Sequence, residues 1–221
     1  MIRTLIFDLD GTLLNTIDDL ADAANWVCIQ NGWPTFTIAQ YKHMVGNGIP
    51  KLVERFTPPQ ARTPDTLACA LAQFSARYAA HKMDKTAPYP GIPALLRSLR
   101  GFGVDIAVYS NKADGLCQPI IRSYFGDAFT LVRGSLPGVP NKPDPAGVTE
   151  MLRQLGAAPA ATLFVGDSDV DVQTAHNAGL AAIGVSWGFR GTDELRAAGA
   201  DYVVDTPEQL LALVQSINAE A

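Results

Sequence analysis

The apolar positions of this chain fall into short runs separated by helical spacings. Runs at Leu5–Leu9, Val104–Ser110, Phe129–Val132, Thr162–Val165 and Ala181–Val185 are close to continuously apolar. That pattern suits strands covered on both faces. Helical spacing between them predicts helices around Pro93–Arg100, Gly115–Tyr124, Pro145–Leu155 and Val170–Ala178, with a last one near Pro207–Ile217. Strand alternating with helix predicts an α/β fold, a mostly parallel sheet with helices on both faces. Ligands of such sheets sit beyond the carboxyl ends of the strands.

One region breaks the alternation. Residues from about Asn15 to Lys82 hold no convincing strand. Ile17, Leu20, Ala24 and Val27 mark one helix face, and Asn31-Gly32 gives its stop signal. Leu67, Leu71, Phe74 and Tyr78 mark another, opened by Thr63-Pro64 as N-cap and first helical residue. The expectation is a core formed by residues 1–14 plus 86–221, with a helical cap inserted at 15–85. Its hinges would lie at Leu14-Asn15 and Lys85–Gly91, and its use would be as a lid.

Composition narrows the class. The chain has 221 residues and a net charge of -5, so a nucleic-acid surface is not expected. The acidic surplus lies outside 15–82, where eleven Lys/Arg face seventeen Asp/Glu. No apolar run is long enough to span a bilayer, and no signal peptide is visible. Cys28, Cys69 and Cys117 are dispersed, without a CxxC pair. They read as free thiols in a reducing compartment, so a cytoplasmic location is expected; separately, the expected state is a monomer or homodimer.

Candidate chemistry gathers at strand ends. Asp8 and Asp10 end the first apolar run at i and i+2, and so emerge on one face of a strand. Taken alone, the pair also fits an Asx-type turn with Gly11 supplying unusual backbone angles. As chemistry, Asp8 attacks phosphorus while Asp10 donates and later removes a proton, which calls for a raised pKa in a shielded site. Val165-Gly166-Asp167-Ser168-Asp169-Val170-Asp171 is a second strand end. There Asp167 completes an oxygen-ligand site for Mg²⁺ with Asp8, and no His/Cys cluster competes. Asp171, one helical turn on, reaches a metal-bound water or orients Lys142. Ser168 or Asp169 caps the helix.

Lys142-Pro143-Asp144-Pro145 projects one cation from a helix start, with Lys142 extended, Asp144 as N-cap and Pro145 as first helical residue. That cation offsets repulsion between the acids and a phosphate. Ser110 and Asn111 follow another strand, where a hydroxyl and backbone N–H groups hold phosphate oxygens, or where the pair simply caps a helix. Thr12 joins the candidates for substrate contact from the loop after Asp10.

In this order the pieces Asp8-Leu9-Asp10-Gly11-Thr12, Ser110, Lys142 and Gly166-Asp167-Ser168-Asp169-Val170-Asp171 resemble the haloacid dehalogenase-like hydrolase superfamily. The resemblance implies a Rossmann-like core of five parallel strands with an inserted helical cap. It also implies Mg²⁺ held by Asp8, the Asp10 carbonyl and Asp167. Val45-Gly46-Asn47-Gly48 with Leu52-Val53-Glu54-Arg55, and Ser110-Asn111-Lys112, resemble phosphoglycolate phosphatases. Gly46 and Asn47 then become candidate substrate contacts, with Lys42, Lys51 and Arg55 as possible cations for a small carboxylated substrate.

Asp10 bears on the reaction. A halide leaves without a proton and an alkoxide does not, so the reading is a phosphatase acting on small phosphate monoesters. Sugar phosphomutases and nucleotide or sugar phosphatases share the core motifs, but Leu14–Ala24 lacks the His that such mutases typically use. A non-catalytic phospholigand binder would be expected to lose Asp8 or Asp10.

Overall fold

The computed structural model describes residues 1–220. The first strand, β1 (Thr4–Phe7), is buried along its whole length. Its side chains alternate between two cores: Leu5 and Phe7 join one apolar cluster, and Ile6 joins the other. Six strands make the main sheet, all paired in parallel. Besides β1 they are β4 (Asp105–Ala113), β5 (Leu131–Ser135), β6 (Thr162–Gly166), β7 (Ala181–Val185) and β8 (Tyr202–Val204). The spatial order is β5-β4-β1-β6-β7-β8. The chain builds outward from β1 on one side, then returns to build the other. The switch point therefore lies beside β1, where ligands of open parallel sheets sit.

Helices α5 (Ile92–Gly101), α6 (Asp114–Phe125) and α10 (Pro207–Ala219) supply the cluster on one face. Helices α7 (Ala146–Leu155), α8 (Asp169–Asn177) and α9 (Thr192–Ala197) supply the other. The sheet has six strands rather than the expected five. The extra one, β8, is a three-residue edge strand of which only Val204 is buried, which leaves too short an apolar run to see in the sequence. The strand expected to stop at Ser110 continues to Ala113, because β5 pairs with it again across an irregularity, Ala113 with Ser135. The strand expected at Phe129–Val132 is β5, which runs on through Gly134 and Ser135.

Residues between β2 (Leu14–Asn15) and β3 (Ala87–Pro88) form four helices: α1 (Ile17–Gln30), α2 (Ile38–Met44), α3 (Ile49–Phe56) and α4 (Pro64–His81). These carry their own apolar cluster, including Val27, Tyr41, Phe56, Phe74 and Tyr78. The Phe74 and Tyr78 rings stack with centroids 5.6 Å apart. Thr63 opens α4 as expected, accepting from the Thr66 N–H. At the two junctions, β2 and β3 pair antiparallel. The buried Asp19 carboxylate accepts from the N–H groups of Lys85 and Thr86 and from the Thr86 hydroxyl. The two ends of the insert are therefore pinned together.

Candidate active site

The loop after β1 is wound around a single carbonyl. The N–H groups of Thr12, Leu13 and Leu14 all donate to Leu9 O. Gly11 sits at φ +92°, and a β-carbon there would stand 2.3 Å from Asp167 Oδ2. Both conditions demand glycine. Trp187 Nε1 donates to Thr12 O at 3.0 Å, which fastens the loop from the β7 side. The tight winding fixes Asp8 and Asp10 relative to each other.

Three buried carboxylates converge at this end of the sheet. Asp8, Asp167 and Asp171 each offer an oxygen, and these oxygens lie within 4.8 Å of one another. Asp8 and Asp167 arrive from neighbouring strands because the Asp8 N–H continues the β1–β6 pairing, donating to Val165 O at 2.8 Å. Asp167 Oδ2 accepts from the Phe189 N–H at 2.7 Å, and its other oxygen lies 3.4 Å from the Thr12 hydroxyl. Thr12 thus faces Asp167. Asp171 Oδ2 accepts from the hydroxyl and N–H of Ser168, the N-cap of α8. Asp169 is half-buried in the first turn of α8, outside the cluster.

Lys142 is the counter-charge. Its Nζ is 2.7 Å from Asp171 Oδ1 and 2.8 Å from Asp8 Oδ1. The contact to Asp8 is an ion pair without hydrogen-bond alignment, so that buried oxygen has no hydrogen-bond partner. Burial works against the charge on Lys142, but Asp171 and Asp8 outweigh it and hold its pKa above the usual lysine range. Burial dominates at Asp8: opposed by Lys142 and reinforced by Asp171, it pushes the carboxyl up to about 7. Asp167 is raised well above the carboxylate range by burial and by its neighbours Asp171 and Asp8. Three acids against one lysine is an imbalance that protons or a cation must correct. The all-oxygen donor set and the Asp8 oxygen that lacks a hydrogen bond fit a hard divalent cation such as Mg²⁺.

The Lys142 loop is held differently from the expectation. The Lys142–Pro143 peptide is cis. Helix α7 starts at Ala146 with Pro145 as its N-cap residue, one position later than expected. Asp144 instead accepts from the Ala146 N–H at 2.9 Å, an Asx-type turn ahead of the helix. Asn111 grips the loop. It accepts from the Lys142 N–H at 2.8 Å, and its amide donates to Lys142 O and to Gly46 O of the insert. Its side chain therefore locks loop and insert together and has no donor left for phosphate. Ser110 is buried and lines the cavity, its hydroxyl accepting from the Lys112 N–H.

Asp10 meets a partner that sequence reasoning assigned no role. Lys112 Nζ is 2.9 Å and 3.0 Å from its two oxygens, and 2.8 Å from the Tyr78 hydroxyl of α4. Because β4 extends past Ser110, Lys112 stays inside rather than turning to solvent. The only sequence signal was its place directly after Ser110-Asn111.

A cavity of about 40 Å³ lies between the strand ends and the insert. Asp8, Asp10, Ser110, Lys112 and Lys142 form its floor. Leu20, Val45, Ile49, Leu52 and the backbone of Gly46 and Gly48 form its roof. Asn47 does not line it, since its side chain accepts from Arg55. Arg55 is spent holding Asn47 and Met44 O, and Lys51 pairs with Glu54 in solvent. Neither of these expected cations faces the cavity.

The chain is similar to known proteins. The profile of the family described as haloacid dehalogenase-like hydrolase matches residues 5–185. The chain is 35% identical over 214 residues to a phosphoglycolate phosphatase of Pseudomonas putida, covering 95% of this chain and 78% of that one. A crystal structure of a provisionally named phosphoglycolate phosphatase from Lactobacillus delbrueckii superposes with a TM-score of 0.91 at 33% identity, covering 96% of this chain and 98% of that one. CbbY from Rhodobacter sphaeroides, solved in complex with phosphate, matches with a TM-score of 0.79 at 25% identity, covering 95% and 96%.

Proposed function

This chain belongs to the haloacid dehalogenase-like hydrolase family and is a phosphoric monoester hydrolase, and on that premise we propose that it hydrolyses a small ester, 2-phosphoglycolate foremost, through an aspartyl-phosphate on Asp8. The observation that carries this reading is the convergence of Asp8, Asp167, Asp171 and Lys142 on one buried point, with Asp10 beside it in the same cavity. Mg²⁺ is the proposed cofactor, held by Asp8, the Asp10 carbonyl and Asp167. When bound it neutralises charge on the phosphate and the acids.

In the first step an Asp8 oxygen forms a bond to phosphorus while the bond from phosphorus to the ester oxygen breaks. The departing alkoxide takes a proton from Asp10. In the second step a water oxygen attacks phosphorus, its proton passes to Asp10, and the phosphorus–Asp8 bond breaks. Phosphate leaves and both acids are restored. Lys142 offsets the negative charge that gathers around phosphorus, and Ser110 offers its hydroxyl to a phosphate oxygen. Asp171 keeps Lys142 aimed at Asp8.

The cavity lining supports a substrate with a single phosphate. The apolar roof offers no free cation to a second phosphate. The backbone around Gly46–Gly48 offers N–H groups, enough for one carboxylate. A phosphate-release screen over small phosphate monoesters, with and without Mg²⁺ and with Asp8→Asn as control, tests the reading. Mg²⁺-dependent release greatest with 2-phosphoglycolate is expected. Substantial release by the Asp8→Asn protein would remove the nucleophile, and an isomeric sugar phosphate as product would make the enzyme a mutase.

A further inference from the structure

We propose that Lys112 is a positioning residue for the proton-transfer steps, fixing the Asp10 carboxylate from the core while Tyr78 of helix α4 fixes Lys112 from the insert. This rests on the reading above, in which Asp10 handles the proton. The chain's two buried lysines then divide the work. Lys142 serves the nucleophile side, touching Asp8 and Asp171. Lys112 serves the acid/base side, touching Asp10 and Tyr78.

The geometry leaves Lys112 nothing else to do. An ammonium has three donors. Here they meet the two oxygens of Asp10 and the hydroxyl of Tyr78, all within 3.0 Å. Its side chain is 2% exposed, so water does not compete for those contacts. Held at both oxygens by one ammonium, the Asp10 carboxylate cannot rotate freely about its last side-chain bond. Proton transfer is sensitive to misplacement of that size.

Tyr78 is the insert's share of this arrangement. Its ring is fully buried and stacked on Phe74, a position that phenylalanine would fill equally well. The hydroxyl is what sets it apart, and it lies 2.8 Å from Lys112. A residue of the lid thereby touches the acid/base through a single side chain. Docking of α4 completes the set of contacts that holds Asp10.

Single-turnover kinetics with enzyme in excess over p-nitrophenyl phosphate separates the steps. Nitrophenolate is a good leaving group and needs no proton, so its release reports attack by Asp8 alone. Release of free phosphate reports the second step, which needs Asp10 as base. In Lys112→Met, nitrophenolate release should stay within about threefold of wild type while phosphate release slows by about 100-fold. Tyr78→Phe should show the same split, with phosphate release slowed about fivefold. Equal slowing of both releases, or no slowing of phosphate release, would overturn the proposal. If Lys112→Met does not fold, Tyr78→Phe decides alone by the same two readouts. Asp8→Asn marks the other failure. If it still released nitrophenolate, the aspartyl-phosphate reading itself would fall, whatever Lys112 does.

Discussion

The floor and the roof of the cavity are built on opposite principles. The floor, with the acids Asp167 and Asp171 behind it, is ionic: these two and Asp8, Asp10, Lys112 and Lys142 are all little exposed, and each is held by a named partner. The roof is apolar side chain and bare backbone, and its nearby charges are turned elsewhere, Arg55 into its own loop and Lys51 into solvent. The floor places reacting groups by charge pairing in a setting where an unpaired charge is expensive. On the proposed reading the roof would place a substrate by shape and by backbone N–H groups that any residue could supply. Substitutions in the floor should therefore fail in kcat, and those in the roof in KM.

The sharpest test of the contrast is Asp8→Asn. It should lower turnover by about 10⁴- to 10⁶-fold with the far-ultraviolet circular dichroism unchanged. Next is Lys142→Met, which leaves three buried acids with no lysine among them. Loss of one partner from such a cluster costs about 3–5 kcal/mol. A lowered urea midpoint, partly restored by Mg²⁺, is the expected result. An unchanged midpoint without Mg²⁺ would show that the floor does not depend on its counter-charge.

Arg55→Met probes the roof. With Met44 O and Asn47 released, the Gly46–Gly48 segment loses its brace, and KM should rise about tenfold with kcat nearly constant. A fall in kcat without a KM change would erase the proposed division. The smallest effect concerns pH. Asp8, pushed up to about 7, and Asp167, raised in the same direction, hold protons more tightly folded than unfolded. Their contribution to stability is full below the ordinary carboxylate range and lost as pH rises through about 7. Without metal, Tm should fall by on the order of 5 °C between pH 4 and pH 7.5. Mg²⁺ should raise Tm most at the upper end. A Tm that rises with pH in chelator would contradict the assigned shifts.

The same contrast explains what could be read from the chain. Asp8, Asp167 and Lys142 announce themselves because residue type does the chemistry and apolar runs place them at strand ends. Leu5–Leu9 and Thr162–Val165 were visible because burial on both faces leaves no polar interruptions. Lys112 was hidden because nothing local tells a buried lysine from a solvated one; its role comes from β4 continuing to Ala113, a decision made by pairing with β5. The strand β8 was hidden because three edge residues carry little pattern. Asn111 and Asn47 matched the expected residue types, yet their amides are used to hold loops. Residue identity does not reveal which of its partners an amide has chosen.

Trp187–Arg190 carries a final consequence. Trp187 fastens the nucleophile loop, the Phe189 N–H grips Asp167, the Phe189 ring sits among the insert's apolar residues, and Arg190 donates to Val45 O. Three residues of one short segment thus serve as a common crossbeam, so loosening the insert's interior is passed on to Asp167. Variants confined to the helices of residues 15–85 can consequently shift the Asp167 carboxylate, which lies outside the insert.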